Sequence, residues 1–315
     1  MPSRLARSAG ALVSRAIEAL FVLWALASLV FLAMRTLPGD PAALILGDQA
    51  SRAELDALRA KLLFDQPLHV QYAHFLGSLV RLDFGESLRR PGVRAGARVL
   101  EALGPTSELA ALGVLLGAAF GAAAAVLASG PWLGRRRRWV GRALVVVAAS
   151  PLLAVAPLLT YALAARLRVV PLPGDPDAGL AGLLFASGLL AIPLAAHVGR
   201  ITSASLAAIA SAPFLAVARA KGGAPVRVWV LHALPAVIGP TVMVVATQLG
   251  ALLGGAVVLE RLFERAGLGT LILEAYATRD LPVLESAVIA AGGIFVVAQG
   301  LAAAVHALVD PRVRA

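Results

Sequence analysis

The chain has 315 residues, of which 59% are hydrophobic and only 15% are charged, and its mean hydropathy is +0.84. Soluble domains are about 45–50% apolar and about 25% charged, so this composition excludes an ordinary water-soluble protein and predicts a membrane protein. The absence of cysteine excludes a disulfide framework, a thiol nucleophile and a cysteine-based metal site. The net charge of +10 would indicate nucleic-acid binding in a soluble chain, but here the basic residues must first be placed relative to the membrane.

Seven stretches contain no Asp, Glu, Lys or Arg: 19–34, 109–134, 143–165, 178–199, 201–218, 228–259 and 286–309. Because a membrane-spanning helix needs about 20 mostly apolar residues, six of them are interpreted as spans. The stretch 201–218 carries several hydroxyl side chains and Pro213, and only Arg200 separates it from the preceding stretch. We interpret it as the end of span four followed by a surface helix. The predicted spans cover about 17–37, 109–130, 143–165, 178–200, 234–259 and 284–309.

The loop between the first two spans, about 36–108, is long and nearly neutral in charge. Its segment 51–63 has leucines at helical spacing, with Ser51 placed to cap the helix and Glu54 three residues later. A second segment, 67–82, carries the apolar residues Val70, Phe75, Leu76 and Leu79. The loop is therefore predicted to fold as a small cap, either a docking surface or a lid.

The loop between spans four and five has the pattern of a short helix and a tight turn. Pro213 suits the first helical turn, and the helix is predicted to run to about Lys221. Gly222 and Gly223 then end it, and Pro225 begins the next helix. The residues alone leave two interpretations open: a surface that contacts a partner through Arg219 and Lys221, or a simple turn with interfacial anchors.

The basic residues fall on one side of the predicted membrane. With the N-terminus in the cytoplasm, the N-terminal segment, the loop with four consecutive arginines at 135–138, the loop 200–227 and the C-terminal tail all carry net positive charge. This is the distribution that the positive-inside rule expects. Both termini are therefore predicted to be cytoplasmic, and the arginine run needs no nucleic acid as a partner. We interpret the first span as a retained helix rather than a cleaved signal peptide, because the charge distribution requires it.

The chain lacks the residues of an energy-converting machine. No phosphate-binding G-x-x-x-x-G-K-[ST] motif is present. Ion-driven carriers usually hold acids or histidines in mid-membrane, but here His197, His232, His306 and Glu285 all lie near span ends. The deepest polar side chains are Gln248 and Gln299. The sequence therefore predicts a protein that forms a transport path but takes its energy from a partner. It predicts no catalytic, cofactor or metal site.

An intramembrane serine enzyme is the alternative from another class. The pair considered for such an enzyme is Ser187 and His197, ten residues apart on one predicted helix. At 1.5 Å per residue they stand about 15 Å apart, beyond the reach that a nucleophile and its base require. The pair is therefore rejected.

Six short motifs occur in order along the chain: L-P-G-D-P at 37–41, D-Q-P-L-H-V-Q-Y at 65–72, D-F-G-E-S at 83–87, A-G-L-G at 266–269, R-D-L-P-V at 279–283 and L-V-D-P-R-V-R at 308–314. In this order the chain resembles the B-type permease subunit of bacterial dipeptide, oligopeptide and nickel ABC importers. The loop A-R-A-K-G at 218–222, with Leu234-Pro235 after it, resembles the family's cytoplasmic loop E-A-A-x-x-x-G-x9-I-x-L-P. Ala216 stands where that form has Glu, and His232 where it has Ile.

The resemblance implies an all-α polytopic membrane protein with the type I ABC-importer fold, in the bacterial inner membrane. It implies an N-terminal helix and outer cap over 1–100, a transmembrane domain over 101–310, and a coupling helix at about 213–222 that docks on an ATPase. The coupling-loop residues would be Ala216, Ala218, Arg219, Ala220, Lys221, Gly222, Gly223, Pro225 and Pro235.

The resemblance also implies partners. These are a second, C-type permease, two ATPase subunits or domains that hold ATP and Mg²⁺, an extracytoplasmic solute-binding protein and the bilayer. The substrate would be a peptide or a related small solute. Nickel, glutathione and opine-like solutes remain alternatives, because nothing in the sequence identifies substrate-binding residues.

Overall fold

The computed structural model describes residues 2–36, 41–46 and 50–309, and within these ranges the regular structure is helical. The chain divides into two compact units. Unit 1 contains Met1–Gly104 and Ala266–Val296, and unit 2 contains Pro105–Arg265 and Val297–Ala315. This contact-based division differs from the predicted functional boundary near residue 100, which stays a prediction.

The α-helices of the first half of the chain are α1 (Pro2–Thr36), α2 (Pro41–Leu46), α3 (Arg52–Lys61), α4 (Leu68–Arg81), α5 (Ala95–Ser129), α6 (Arg137–Ala149) and α7 (Leu152–Thr160). Those of the second half are α8 (Gly179–Ala208), α9 (Pro213–Ala220), α10 (Pro225–Val228), α11 (Leu234–Ala236), α12 (Ile238–Leu262), α13 (Leu268–Thr278) and α14 (Leu281–Val309). Wider π-helical turns occupy Tyr161–Arg166 and Trp229–Ala233, and a 3-10 helix occupies Pro131–Arg136.

Five helical stretches in the described residues are long and apolar enough to cross a membrane: Ser14–Thr36, Ala95–Ser129, Gly179–Ala208, Ile238–Leu262 and Leu281–Leu308. A sixth crossing is provided if the bent pair Pro131–Ala149 and Leu152–Arg166 counts as one span. The protein is thus an all-α, multi-pass membrane protein.

The continuous span predicted over 143–165 is corrected by the structure. The pair of helices there is bent by 106°. The break lies at Ser150, whose backbone is extended (φ −84°, ψ 125°) because the following Pro151 disfavours a helical conformation in the residue before it. The second span also begins earlier than predicted, at Ala95 rather than near 109. In the first turn of this helix, Arg98 Nη2 forms an ion pair with Glu274 Oε2 at 3.0 Å.

Within the stretch 201–218, α8 continues to Ala208 and α9 follows as a separate short helix. The helix predicted over 51–63 is confirmed as α3, and the apolar segment 67–82 contains the helix α4. Ser51 and Glu54 form the predicted capping box of α3, with the Glu54 carboxylate accepting from the Ser51 backbone N–H at 2.8 Å. These hydrogen bonds lower the pKa of Glu54 below its usual value.

Unit 2 is built on a close approach between α5 and α8. Gly113, Gly117 and Gly121 lie one turn apart on α5 and face Leu190, Leu194 and Val198, equally spaced on α8. A Cβ at Gly117 would lie 2.7 Å from Leu194 Cδ2, which is closer than real contacts. The glycines therefore let Leu190, Leu194 and Val198 pack closely against the α5 backbone. Membrane helices favour this packing of small against large residues.

Candidate functional site

The candidate site is the α9–α10 loop of unit 2. Pro213 is the first residue of α9, after Ala212 in an extended conformation, and Pro225 begins α10 in the same way after Ala224. Proline at the first helical position sacrifices no hydrogen bond, because that N–H has no intrahelical acceptor. The helix–turn–helix pattern predicted for this loop is therefore confirmed as local structure.

The turn after α9 needs each of its glycines for a different reason. Gly222 has a φ of +80°, in the left-handed region that favours glycine. Its N–H donates to the Arg219 carbonyl at 3.0 Å, and the Gly223 N–H donates to the Ala218 carbonyl at 3.3 Å, which together form a Schellman motif. Gly223 is required for space, since a Cβ there would lie 2.9 Å from both the Ala218 carbonyl oxygen and Val228 Cγ2.

One face of α9 is anchored in the core of unit 2. Leu215 is fully buried in a cluster that also contains Leu206 of α8 and Val228 and Trp229 of the following segment. The Trp229 ring stands edge-on to the ring of Trp132, with centroids 6.3 Å apart. The loop is thus seated on both the helix before it and the helix after it.

The opposite face of the loop is apolar and basic. Phe214, Val217 and Val226 are large hydrophobic residues about half exposed. Ala216 and Ala220 are also exposed, as are the three basic side chains Arg219, Lys221 and Arg227. No acidic residue occurs between 178 and 259. The face therefore suits a partner with an apolar groove and acidic residues beside it.

Arg219 and Lys221, the two basic residues predicted to contact a partner, have different surroundings in the structure. Arg219 Nη2 donates to the Ala210 carbonyl at 2.8 Å and so ties α9 to the turn that precedes it. Lys221 lies exposed at the C-terminal end of α9. Arg219 is therefore already engaged within the chain, whereas Lys221 projects from the helix end.

The chain leaves the loop through an irregular helix that sequence reasoning missed. A π-helical turn over Trp229–Ala233 is followed by a short helix containing Pro235, and Val237 then departs from helical geometry (φ −114°, ψ 16°). Thr241 Oγ1 donates to the Val237 carbonyl at 3.0 Å and contacts the hydroxyl of the buried Thr202 at 2.9 Å. Pro235 is a local sequence signal for the irregular helix, because proline interrupts helical hydrogen bonding.

The rejected enzyme pair is also separate in the structure. His197 Nδ1 bonds the Pro193 carbonyl at 2.8 Å, and Ser187 Oγ is buried with no hydrogen-bond partner among the described residues. The described part of the chain contains no group of three metal-ligating side chains. Gln299 Nε2 bonds the Ala246 carbonyl at 3.0 Å, as expected for a link between helices.

Two of the sequence motifs meet in unit 1. The Ser87 hydroxyl, in the motif at 83–87, donates to the carboxylate of Asp280, in the motif at 279–283. Asp280 is fully buried and also accepts from the Leu88 N–H at 3.1 Å. Residues 37–40 and 310–314, which carry most of the first and last motifs, lie outside the described residues.

Comparisons with known proteins find the same kind of protein over most of the chain. Residues 112–315 match the family described as binding-protein-dependent transport system inner membrane component, and residues 10–88 match the N-terminal family of such membrane components. A probable peptide ABC transporter permease of Sinorhizobium fredii is 29% identical, covering 96% of this chain and 98% of the relative. Glutathione transport system permeases are 34% identical in Salmonella choleraesuis (91% and 93% covered) and 30% identical in Escherichia coli K12 (96% and 98% covered).

Proposed function

Because the chain belongs to the family of binding-protein-dependent transport system inner membrane components, we propose that α9 and its glycine turn form the element through which a separate ATPase drives it. The chain is the permease subunit of an ABC importer in the bacterial inner membrane, and it is a transporter component rather than an enzyme. The proposal concerns how this permease is coupled and what it carries.

The observation that carries the proposal is the two-sided construction of α9. Its inner side is fixed by the buried Leu215, and its outer side presents exposed Phe214 and Val217 with a basic rim. A helix seated in this way moves together with α8 and with the segment leading into α12. Force applied by a partner at the exposed face is therefore passed to the membrane helices rather than absorbed by a flexible loop.

The partner would be an ATP-binding-cassette subunit that holds ATP and Mg²⁺ and receives α9 in a groove with acidic residues. ATP binding and hydrolysis would bias the permease between two conformations through differential contacts at this face. The coupling group comprises Ala216, Ala218, Arg219, Ala220, Lys221, Gly222, Gly223, Pro225 and Pro235. Within it, we assign Arg219 to holding the helix in position, and Lys221 to contacting the ATPase.

We place the coupling loop and both termini in the cytoplasm. The contact between Trp132 and Trp229 supports the same side for the coupling loop and the arginine run, because Trp132 lies just before Arg135–Arg138. Positively charged loops remain in the cytoplasm. The long loop over about 36–108 then faces outward, where a solute-binding protein would deliver its ligand.

The cargo is a short peptide or a glutathione-like solute. The relatives that cover nearly the whole chain are named as peptide and glutathione permeases, which supports this substrate class over nickel or opine-like solutes. A second, C-type permease would supply the other half of the pathway, and two ATPase subunits or domains would complete the complex.

Replacing Gly222 by Val tests the coupling role. Valine is strained at a φ of +80°, so the Schellman turn should open, and we expect uptake and permease-stimulated ATP hydrolysis to fall by about tenfold or more. Membrane insertion and the amount of permease should stay unchanged. The measurements are uptake of a labelled peptide and ATPase activity of the reconstituted complex.

Two matched variants make this test specific. Gly222→Asn should retain most coupling, because asparagine tolerates the left-handed conformation better than other non-glycine residues. Gly92→Val places the same side chain at the same φ, +80°, in the segment between α4 and α5, where nothing lies within 4 Å of a Cβ, and should leave coupling intact. Full coupling in Gly222→Val, or equal loss in Gly92→Val, would contradict the assignment.

Isolation of the complex tests the partners. Mild-detergent capture of the chain from its host should recover an ATPase, a second permease and a solute-binding protein. Failure to recover an ATPase after cross-linking through a photoreactive group at residue 221 would contradict the proposed docking face.

A further inference from the structure

Unit 1 contains a cavity of about 530 Å³ that no part of the coupling proposal uses. It lies among the end of α1, the segment after α3, the helix α4, the segment 83–88 and the start of α14. Sites for small molecules are typically about 300–1,000 Å³ and combine apolar walls with a few convergent polar groups. The size of this cavity is therefore suited to a molecule of a few residues.

A buried ion pair contributes to the cavity wall. Arg35 Nη1 lies 2.8 Å from Glu285 Oε1, and the two side chains are only 16% and 11% exposed. Arg35 Nε also donates to Gln71 Oε1 at 3.1 Å, and the guanidinium lies 3.8 Å above the ring of Phe31. Burying two charges carries a desolvation cost, which hydrogen bonds and contacts from further polar partners can offset.

The ion pair has bonding capacity left over. A guanidinium has five N–H donors and a carboxylate has two acceptor oxygens. Among the described residues, Arg35 Nη2 and Glu285 Oε2 make no hydrogen bond. One unused donor of positive charge and one unused acceptor of negative charge therefore belong to adjacent side chains that line the same cavity.

The rest of the lining restricts the ligand further. Phe64, Phe75 and Phe84 provide aromatic surface, and Leu62 and Leu88 add aliphatic surface. The charged lining residues are Arg35 and Arg81 against Asp83, Glu86 and Glu285, so both signs are present and neither dominates. A purely anionic ligand such as a phosphate would meet more acids than bases. A zwitterion with an apolar side chain matches both the charges and the walls.

We propose that this cavity binds a short peptide with free termini and an apolar side chain. Arg35 receives the terminal carboxylate, and Glu285 receives the terminal ammonium group. The preference for a peptide over other zwitterions rests on the proposed transport function, whereas the demand for two opposite charges rests on the cavity alone. On this proposal the permease holds solute itself, in unit 1, in addition to the ligand carried by a binding protein.

Equilibrium dialysis with radiolabelled Leu-Leu tests the proposal directly. The full-length chain is placed in lipid nanodiscs without ATPase, binding protein or ATP. We expect saturable binding of Leu-Leu, and binding of N-acetyl-Leu-Leu amide at least about tenfold weaker, because the blocked peptide lacks both charges. No saturable binding of Leu-Leu up to millimolar concentration would overturn the proposal.

Two substitutions on α4 locate the binding. Ser78 lines the cavity, so Ser78→Trp fills it without removing any described hydrogen bond and should weaken Leu-Leu binding by about tenfold or more. Val80 lies on the same helix, is 85% exposed and does not line the cavity, so Val80→Trp should change binding by less than about twofold. Equal effects of the two tryptophans would overturn the site.

Glu285→Gln removes the negative charge while preserving shape, and it should weaken Leu-Leu more than a peptide with a blocked N-terminus. Equal weakening of both peptides would show that Glu285 does not receive the ammonium group. These binding measurements need no ATPase, so they are independent of the ATPase assay of the reconstituted complex. Peptide binding in nanodiscs with no ATPase stimulation in the complex would count against the coupling proposal. ATPase stimulation in the complex with no peptide binding in nanodiscs would count against this cavity.

Discussion

Unit 1 and unit 2 are stabilised by different kinds of contact. In unit 1, charged and hydroxyl groups join segments far apart in the chain, such as Ser87 with Asp280 and Arg35 with Glu285. In unit 2, regular rows of glycine and leucine bring two helices together over several turns. Unit 2 also has buried polar contacts, such as Thr106 with Glu260, but they accompany a large apolar cluster.

The difference is physical. Apolar burial does not discriminate between partners in a lipid environment, so helices there associate through close packing of small and large residues. Hydrogen bonds to a buried carboxylate specify one partner and leave an unsatisfied charge if that partner is lost. Unit 1 should therefore be sensitive to the loss of single polar groups, and unit 2 to changes in volume.

The largest expected effect is Asp280→Ala in unit 1. The substitution leaves the buried Ser87 hydroxyl and the Leu88 N–H without their acceptor. We expect unit 1 to lose about 3 kcal/mol of stability. Hydrogen exchange of the segment 83–94 in nanodiscs measures this, with the exposed Asp56→Ala as control. Unchanged protection of 83–94 would contradict the idea that Asp280 holds this segment.

A smaller effect is expected for Gly117→Val in unit 2. The new side chain would meet Leu194, whose Cδ2 lies 2.7 Å from the position of a Cβ, so the helices must separate. Overpacking of this kind costs about 1–3 kcal/mol. Thermal unfolding of the purified chain measures it, and Gly188→Ala is the control, because nothing lies within 4 Å of a Cβ at that position. If both variants unfold at the wild-type temperature, the glycine row does not set the helix distance.

The smallest effect concerns Glu54, on an exposed helix of unit 1. Its pKa is lowered by hydrogen bonds from Ser51, so the folded state favours the ionised carboxylate. This stabilisation is complete above the pKa of the unfolded carboxyl group and is lost as the pH falls through the lower, folded value. Exchange of the α3 amides should therefore accelerate at acidic pH. Glu54→Gln removes the ionisable carboxyl group and should remove this dependence, and a persistent dependence in that variant would assign it to another group.

Local chemistry explains why the coupling loop could be predicted from sequence. Pro213, Gly222 and Pro225 each restrict the backbone at their own position, so their order specifies a helix, a turn and another helix. The capping box at Ser51 and Glu54 is local in the same sense. The bend at Ser150 also has a local signal in Pro151, although a charge-free stretch by itself does not reveal a bend.

The start of α5 and the polar contacts of unit 1 were not predictable in this way. Glu101 and Glu108 lie before the charge-free stretch 109–134, but the helix extends through them to Ala95. The partner of Glu108 is Arg265, at 3.3 Å, which is remote in sequence. A charged residue inside a membrane helix is easily taken for a loop residue when its partner is remote in sequence. Only the fold shows that the partner neutralises its charge.

The sequence by itself determined that this is a multi-pass membrane protein, where the coupling-loop helix and the capped helix α3 lie, and which family the chain belongs to. These properties depend on composition, periodicity and short motifs, all of which act over a few neighbouring residues. Only the tertiary structure decided which motifs meet, how α9 is seated, and that Arg35 and Glu285 form a charged wall of one cavity. Those contacts join residues up to 250 positions apart. Such pairings arise from packing in three dimensions, which no local pattern specifies.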